Sequence, residues 1–180
     1  MNIKIFILFV LAFAKAYCQE VKTPSPELLE KFKKLKEKEA EMIGKPLNYF
    51  EMYDMKGNSI TSKDLEGKIT VVNFWYKECK PCIEEMPELN GLVSKYKRED
   101  VKFVAFSTTE KERLNGFFEK HPFNYEIIPN SKRFAKANNV QFFPTNMILD
   151  RQGNIKYLRS GYSEGVGELL AQELEKLISN

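Results

Sequence analysis

The chain has 180 residues, 43% hydrophobic and 29% charged, with a formal net charge of +3. That balance leaves room for one ordinary domain with a core and excludes disordered, collagen-like and repeat architectures. A weak charge excess with no one-sided basic block and no binding motif excludes nucleic acid as a partner.

The first eighteen residues, "MNIKIFILFVLAFAKAYC", differ from the rest. A basic start at Lys4 precedes ten apolar residues, Ile5 to Ala14. That run is short of the roughly 20 residues needed to span a bilayer and has the length of a signal-peptide core. Ala14, Ala16 and Cys18 follow as small residues suited to cleavage, so residues 1–18 read as a signal peptide. Lys15 and Tyr17 spoil a lipid-attachment pattern at Cys18, and membrane association is expected only with Cys18 lipidated or the segment retained. Cleavage removes Lys4 and Lys15 and no acids, leaving 26 of 28 basic residues against 25 acidic ones. The mature chain would keep only Cys79 and Cys82, in a periplasmic or otherwise extracytoplasmic compartment where disulfides persist.

Residues 19–43 read as a charged arm. Within it "PELLEKFKKLKEKEAEMI" sets Leu28, Leu29, Phe32 and Leu35 at helical spacing, and Gly44-Lys45-Pro46 ends the helix. The remainder, 44–180, is expected to form one domain. Residues 47–60 read as short strands around a Lys56-Gly57-Asn58 turn, and 64–67 as a brief turn or helix. Ile69 to Tyr76 is apolar and β-branched, a strand buried on both faces. The pattern then predicts a helix over 80–96, a buried strand over 101–108, and helices over 110–121 and 131–139. Strands at 145–150 and 154–160, joined at Gln152-Gly153, and a closing amphipathic helix over 167–179 complete the chain. This order implies an α/β domain with a mixed sheet covered on both faces.

The pair in "NFWYKECKPCIEEMPEL" admits three chemistries: metal site, staple or redox couple. A structural zinc site takes four Cys or His ligands, and the mature chain supplies two cysteines and His121 alone. Copper carriers with a distant histidine usually space their cysteines by three residues, not two. No metal and no cofactor is therefore expected. A staple over so short a loop constrains the unfolded chain little. The pair also falls where a buried strand passes into a helix, whose free N–H groups and dipole favour a thiolate at Cys79. Lys80 adds a positive charge, Glu78 opposes it, and Pro81 suits a first helical turn. Cys82 lies on nearly the same helical face, placed to resolve a mixed disulfide. The placement favours a redox couple.

The stretches "VVNFW", "CKPC", "EEMPEL" and "FFPTNMILDRQG" resemble the thioredoxin superfamily. Within it the likeness is to the extracytoplasmic TlpA/ResA-like thiol–disulfide oxidoreductases, from Gly44 to the C-terminus. The resemblance implies a thioredoxin-like α/β fold, and the 65 residues from Cys79 to Pro144 match the inserted strand and helix of that branch. It implies that Trp75 packs beside the site, that Pro87 kinks the active-site helix, and that Phe143-Pro144-Thr145 is a cis-proline turn facing the cysteines. Asn73 stands where cytosolic thioredoxins keep a buried aspartate, and Glu85 is the candidate replacement, taking the proton of Cys82. The plain alternatives are an ordinary core tryptophan and a solvated helix glutamate. Tyr76-Lys77-Glu78 depart from the family's usual approach to the first cysteine. His121 has no expected catalytic part, and Phe142 and Phe143 form a candidate apolar rim.

The expected activity is reduction of protein disulfides, with a disulfide-bearing protein substrate and an upstream thiol donor as partners. Two other readings stand beside it. A thiol peroxidase of the peroxiredoxin type would want a Thr-x-x-Cys site, which the residues before Cys79 do not provide. A non-catalytic binding module would use the charged 26–43 helix as its working surface.

Overall fold

The computed structural model describes residues 25–97 and 100–179. The expected signal segment and Cys18 lie outside the described residues. Helix α1 runs from Pro26 to Met42, and the compact unit that carries the site begins within it, at Lys38.

A hairpin of β1 (Glu51–Tyr53) and β2 (Ser59–Thr61) precedes the main sheet. Strand β3 (Ile69–Trp75) leads into helix α2 (Lys80–Lys95) and strand β4 (Val101–Ser107). A 3₁₀ turn at Lys111–Leu114 and the short helix α3 (Phe117–Lys120) follow. Then come β5 (Glu126–Ile128), α4 (Lys132–Ala137), β6 (Thr145–Leu149), β7 (Ile155–Ser160) and α5 (Val166–Ile178). The sheet order is β5-β4-β3-β6-β7, with β3, β4 and β5 parallel and β6 and β7 antiparallel to their neighbours. This is the mixed α/β sheet that the element order implied.

All seven residues of β3 are buried because both faces of the sheet are covered. Period-two alternation sends Ile69, Val71 and Trp75 to one face, against Cys82, Met86, Leu89 and Leu92 of α2 and Leu170 and Leu174 of α5. Val72 and Phe74 go to the other face, against Phe50, Ile60 and Phe134. Each such apolar side chain contributes about 1.5–3 kcal/mol on burial. Polar ties join α2 to α5. The Tyr96 hydroxyl donates to Glu175 Oε1 at 2.8 Å, and the Gly167 N–H donates to Glu88 Oε2 at 2.9 Å.

Two expectations need correction. The helix expected over 110–121 is broken into the 3₁₀ turn and α3 by Gly116, whose φ of 69° lies in the left-handed region that ends a helix. Strand β5 falls between the helices expected over 110–121 and 131–139, where the sequence pattern offers no element, since its three residues are held by parallel pairing to β4 rather than by any periodicity of their own.

One five-residue pattern builds both hairpin turns, "DMKGN" at 54–58 and "DRQGN" at 150–154. Asp54 Oδ1 accepts the N–H groups of Lys56 and Asn58, both at 2.8 Å. Asp150 Oδ1 accepts those of Gln152 and Asn154, at 3.0 and 2.9 Å. Gly57 and Gly153 take φ of 89° and 81°, which glycine adopts without steric cost.

Candidate active site

Strand β3 ends in the core at Trp75, and a tight turn brings the chain to Cys79, whose N–H donates to the Tyr76 carbonyl at 3.1 Å. Cys79 is the N-cap of α2. Its sulfur accepts the Cys82 N–H at 3.2 Å, so one of the helix's free donors points at Sγ. Pro81 stands in the first turn of α2, where its missing N–H leaves no hydrogen bond unmade. The Cys79 and Cys82 sulfurs are joined, 1.99 Å apart. Both residues belong to the apolar cluster under α2.

The charges flanking the pair are compensated locally. Glu78 is ion-paired with Arg113, which also approaches Glu110 at 3.4 Å. Lys80 points into solvent with 87% of its side chain exposed and meets Glu84 at 3.6 Å. Pairs so exposed contribute little energy. The opposition between Glu78 and Lys80 visible in the sequence is thus damped on both sides, and the helix N-terminus is left as the fixed positive influence on Cys79.

Trp75 is fully buried, with Phe117 at 5.4 Å and Phe123 at 6.0 Å, and its carbonyl accepts the Thr108 N–H at 3.0 Å. The Phe143–Pro144 peptide bond is cis. The turn is tied down by the Gly161 N–H donating to the Pro144 carbonyl at 2.8 Å and by the Thr145 hydroxyl donating to the Phe142 carbonyl at 2.7 Å. Phe143 reaches Tyr76 edge-on, centroids 5.3 Å apart, and Phe142 is 45% exposed. Pro87 lies inside α2. His121 packs tilted against Phe117, centroids 4.8 Å apart.

Glu85 is 1% exposed, three residues after Cys82 on α2. Asn73 Nδ2 donates to its Oε1 at 2.8 Å. Asn146 Nδ2 lies 3.2 Å from Oε1 and 3.3 Å from Oε2. Asn73 and Asn146 are direct partners across β3 and β6, and Asn73 Nδ2 also reaches Asn146 Oδ1 at 3.0 Å. Burial pushes the Glu85 carboxyl up from 4.5 to about 7, the two amides pull it back only in part, and the negative charge of Glu88 adds to the rise. The other acids of "EEMPEL" are engaged differently: Glu84 on the surface with Lys80, Glu88 at the start of α5.

The structure therefore gathers Trp75, Cys79, Cys82, Pro144 and Glu85 around one end of β3 and α2, with Lys80 and Pro81 on the first turn. Asn146 escaped the sequence reading. Its signal was available, as a lone amide in the otherwise apolar "MIL" strand two residues after the proline. Arg113 as the partner of Glu78 had no such signal, because it joins residues thirty-five apart. Among the described residues, no group of three or more His, Cys, Asp or Glu is placed to hold a metal.

Residues 43–158 match the model of the AhpC/TSA family. The chain is 31% identical to the thiol-disulfide oxidoreductase ResA of Bacillus cereus over 141 residues, covering 77% of this chain and 78% of that one. To ResA of Geobacillus kaustophilus it is 33% identical over 127 residues, 69% and 73% of the two chains. In fold it is similar to a Chlorobium tepidum protein proposed as the thiol:disulfide interchange protein DsbE, with a TM-score of 0.70 at 21% identity, over 76% of this chain and 97% of that one. StoA of Bacillus subtilis aligns with a TM-score of 0.60 at 22% identity, over 70% and 96%. These likenesses make the α/β architecture thioredoxin-like.

Proposed function

The chain belongs to the AhpC/TSA family, and from that premise we propose that it is a thiol–disulfide oxidoreductase that reduces protein disulfides through Cys79 and Cys82. The observation that carries this reading is the pair itself: two cysteines at bonding distance, the first capping a helix whose N–H points at its sulfur. Cys79 as thiolate attacks one sulfur of a substrate disulfide. A Cys79–substrate bond forms, the substrate bond breaks, and its second sulfur leaves as a thiolate. Cys82 then loses its proton and attacks Cys79. The Cys79–Cys82 bond forms, and the remaining substrate sulfur leaves and is protonated. Two electrons pass from the dithiol to the substrate, and an upstream thiol donor restores them.

Glu85 is the proposed acceptor of the Cys82 proton. A carboxyl near 7 is divided between its two forms at neutral pH, which suits it to take a proton and return it. Asn73 and Asn146 are proposed to hold its orientation. Trp75, Pro81 and Pro144 are proposed to shape the site around the sulfurs, with Lys80 as a solvent-exposed neighbour.

An extracytoplasmic location is part of this reading and rests on the sequence of residues 1–18. So does the proposed division into 1–18, 19–43 and 44–180. Trapping tests the activity. A Cys82→Ser protein, reduced and mixed with native extract, is expected to retain disulfide-linked partners that a thiol reagent releases. The Cys79→Ser protein is expected to retain none. Equal recovery from both variants would remove Cys79 as the attacking group.

A further inference from the structure

Beside the couple, α4 and the Phe143–Pro144 turn enclose a groove of about 480 Å³, a volume in the range of ligand pockets. It adjoins the exchange site through two of its walls. Phe143 precedes the cis proline and contacts Tyr76, and Thr108 is hydrogen-bonded to Trp75, four residues before Cys79. The floor is apolar, formed by Ala135, Val140 and Phe143. The rim is cationic, formed by Lys132, Arg133 and Lys136, all exposed.

Cations nearer the couple are held by oxygens of the chain, and Lys77 Nζ donates to the Arg113 carbonyl at 2.5 Å. Lys80 and Arg113 have carboxylate partners. None of the described carboxylates forms an ion pair with Lys132, Arg133 or Lys136, and residues 127–149 contain no Asp or Glu at all. Glu110 lies near enough to feel the charge of Lys132 but is itself paired with Arg113. An apolar floor under a positive rim that forms no ion pair with the described carboxylates matches a segment that offers an apolar side chain between acidic ones. A free anion would leave the floor uncovered. Complementary charge at such a place acts on encounter rate and on choice of partner.

We propose that this groove docks an acidic, apolar-centred segment beside the disulfide of the protein substrate, so that the enzyme selects substrates by flanking charge. The proposal rests on the disulfide-reductase reading above. It follows from the continuity of the groove with the exchange site and from the charge of its rim.

Three peptides test it, equal in length, each closed by one disulfide with a leucine beside it, and flanked by Glu, Gln or Lys. The full chain, reduced at Cys79 and Cys82, is mixed with each, and the second-order rate of peptide-thiol release is measured. At low ionic strength the Glu peptide is expected to react about tenfold faster than the Lys peptide, at the lower end of electrostatic steering. The gap is expected to close near 1 M salt, where the screening length falls to about 3 Å. Paired Lys132→Glu and Lys136→Glu substitutions, on exposed side chains outside the core, are expected to invert the order. Equal rates for the three peptides, or a Glu preference that survives the charge reversal, would overturn the docking proposal and leave the reductase reading intact. No exchange even with the Gln peptide would overturn the reductase reading, and the docking proposal with it.

Discussion

Glu85 and Asp150 are both carboxylates shut away from solvent, at 1% and 8% exposure, yet their proton affinities move in opposite directions. Burial pushes both up. At Asp150 it is outweighed by the N–H groups of Asn154 and Gln152, the Asn154 amide and the Lys156 ammonium at 3.2 Å, which together hold the group below the usual carboxylate range. Asp54, in the matching turn, is likewise lowered, against its burial, by the Asn58 side chain and by backbone N–H groups. Glu85 has only two amides, one of them shared with the other, and no cation. Burial sets the upward push, which is greatest at Glu85, and the supply of donors and positive charge decides whether it is overcome. The turn aspartates are fixed charges that tie the chain. Glu85 is a carboxyl whose proton is free to move at neutral pH.

The largest expected consequence is kinetic. Glu85→Gln should slow attack of Cys82 on the mixed disulfide by about 10²–10⁴-fold, the usual range for loss of a general base. Capture of substrate by Cys79 should change far less, and quenched single-turnover reactions separate the two steps. Asp150→Asn should leave both steps as they are. A comparable slowing in both variants would erase the contrast between the two carboxylates.

Stability provides the next test. Because the folded Glu85 binds its proton more tightly than the unfolded chain does, its contribution is present below pH 4.5 and is lost as pH rises through about 7. Over that window the wild type should lose about 3 kcal/mol, at 1.36 kcal/mol per pH unit, and Glu85→Gln should not. Denaturant unfolding at pH 4.5 and pH 8 reads the difference. Removing donors should sharpen it: Asn146→Ala is expected to move the Glu85 inflection further upward, at a cost of about 1–3 kcal/mol for the polar partners left unpaired.

The smallest effect belongs to the turn. Asp150, lowered in the fold, lends stability above the unfolded pKa of about 3.9 that disappears as the solution is acidified. Asp150→Asn should flatten the acid limb of the stability curve while keeping the turn, since the amide oxygen still accepts the Gln152 and Asn154 N–H groups. An unchanged acid limb would show that the turn carboxylate is not held as an anion.

Much of the frame was legible in the residues alone. Ile69 to Trp75 declares a strand buried on both faces by its unbroken apolar run, and α2 declares its start through Cys79 and Pro81. The strand β5 was not legible, because a neighbour's edge, and no pattern of its own, makes three residues a strand. The site divides the same way. Cys79, Cys82 and Glu85 stand close in sequence and share one helix, so spacing alone relates them. Asn146 sits sixty-one residues from Glu85, and only the antiparallel register of β3 and β6 brings its amide to the carboxyl. The compensation of Glu78 by Arg113 is equally a product of folding. Local order shows which groups can react, and tertiary pairing sets their charge.

The most direct test is titration of the Glu85 carboxyl by carbon-detected NMR in the disulfide form, its resonance assigned by its absence from Glu85→Gln. The structure requires a midpoint near 7. A midpoint at or below 4.5, the ordinary value, would mean that the carboxyl is ionised throughout the neutral range and cannot be the group that takes the proton of Cys82.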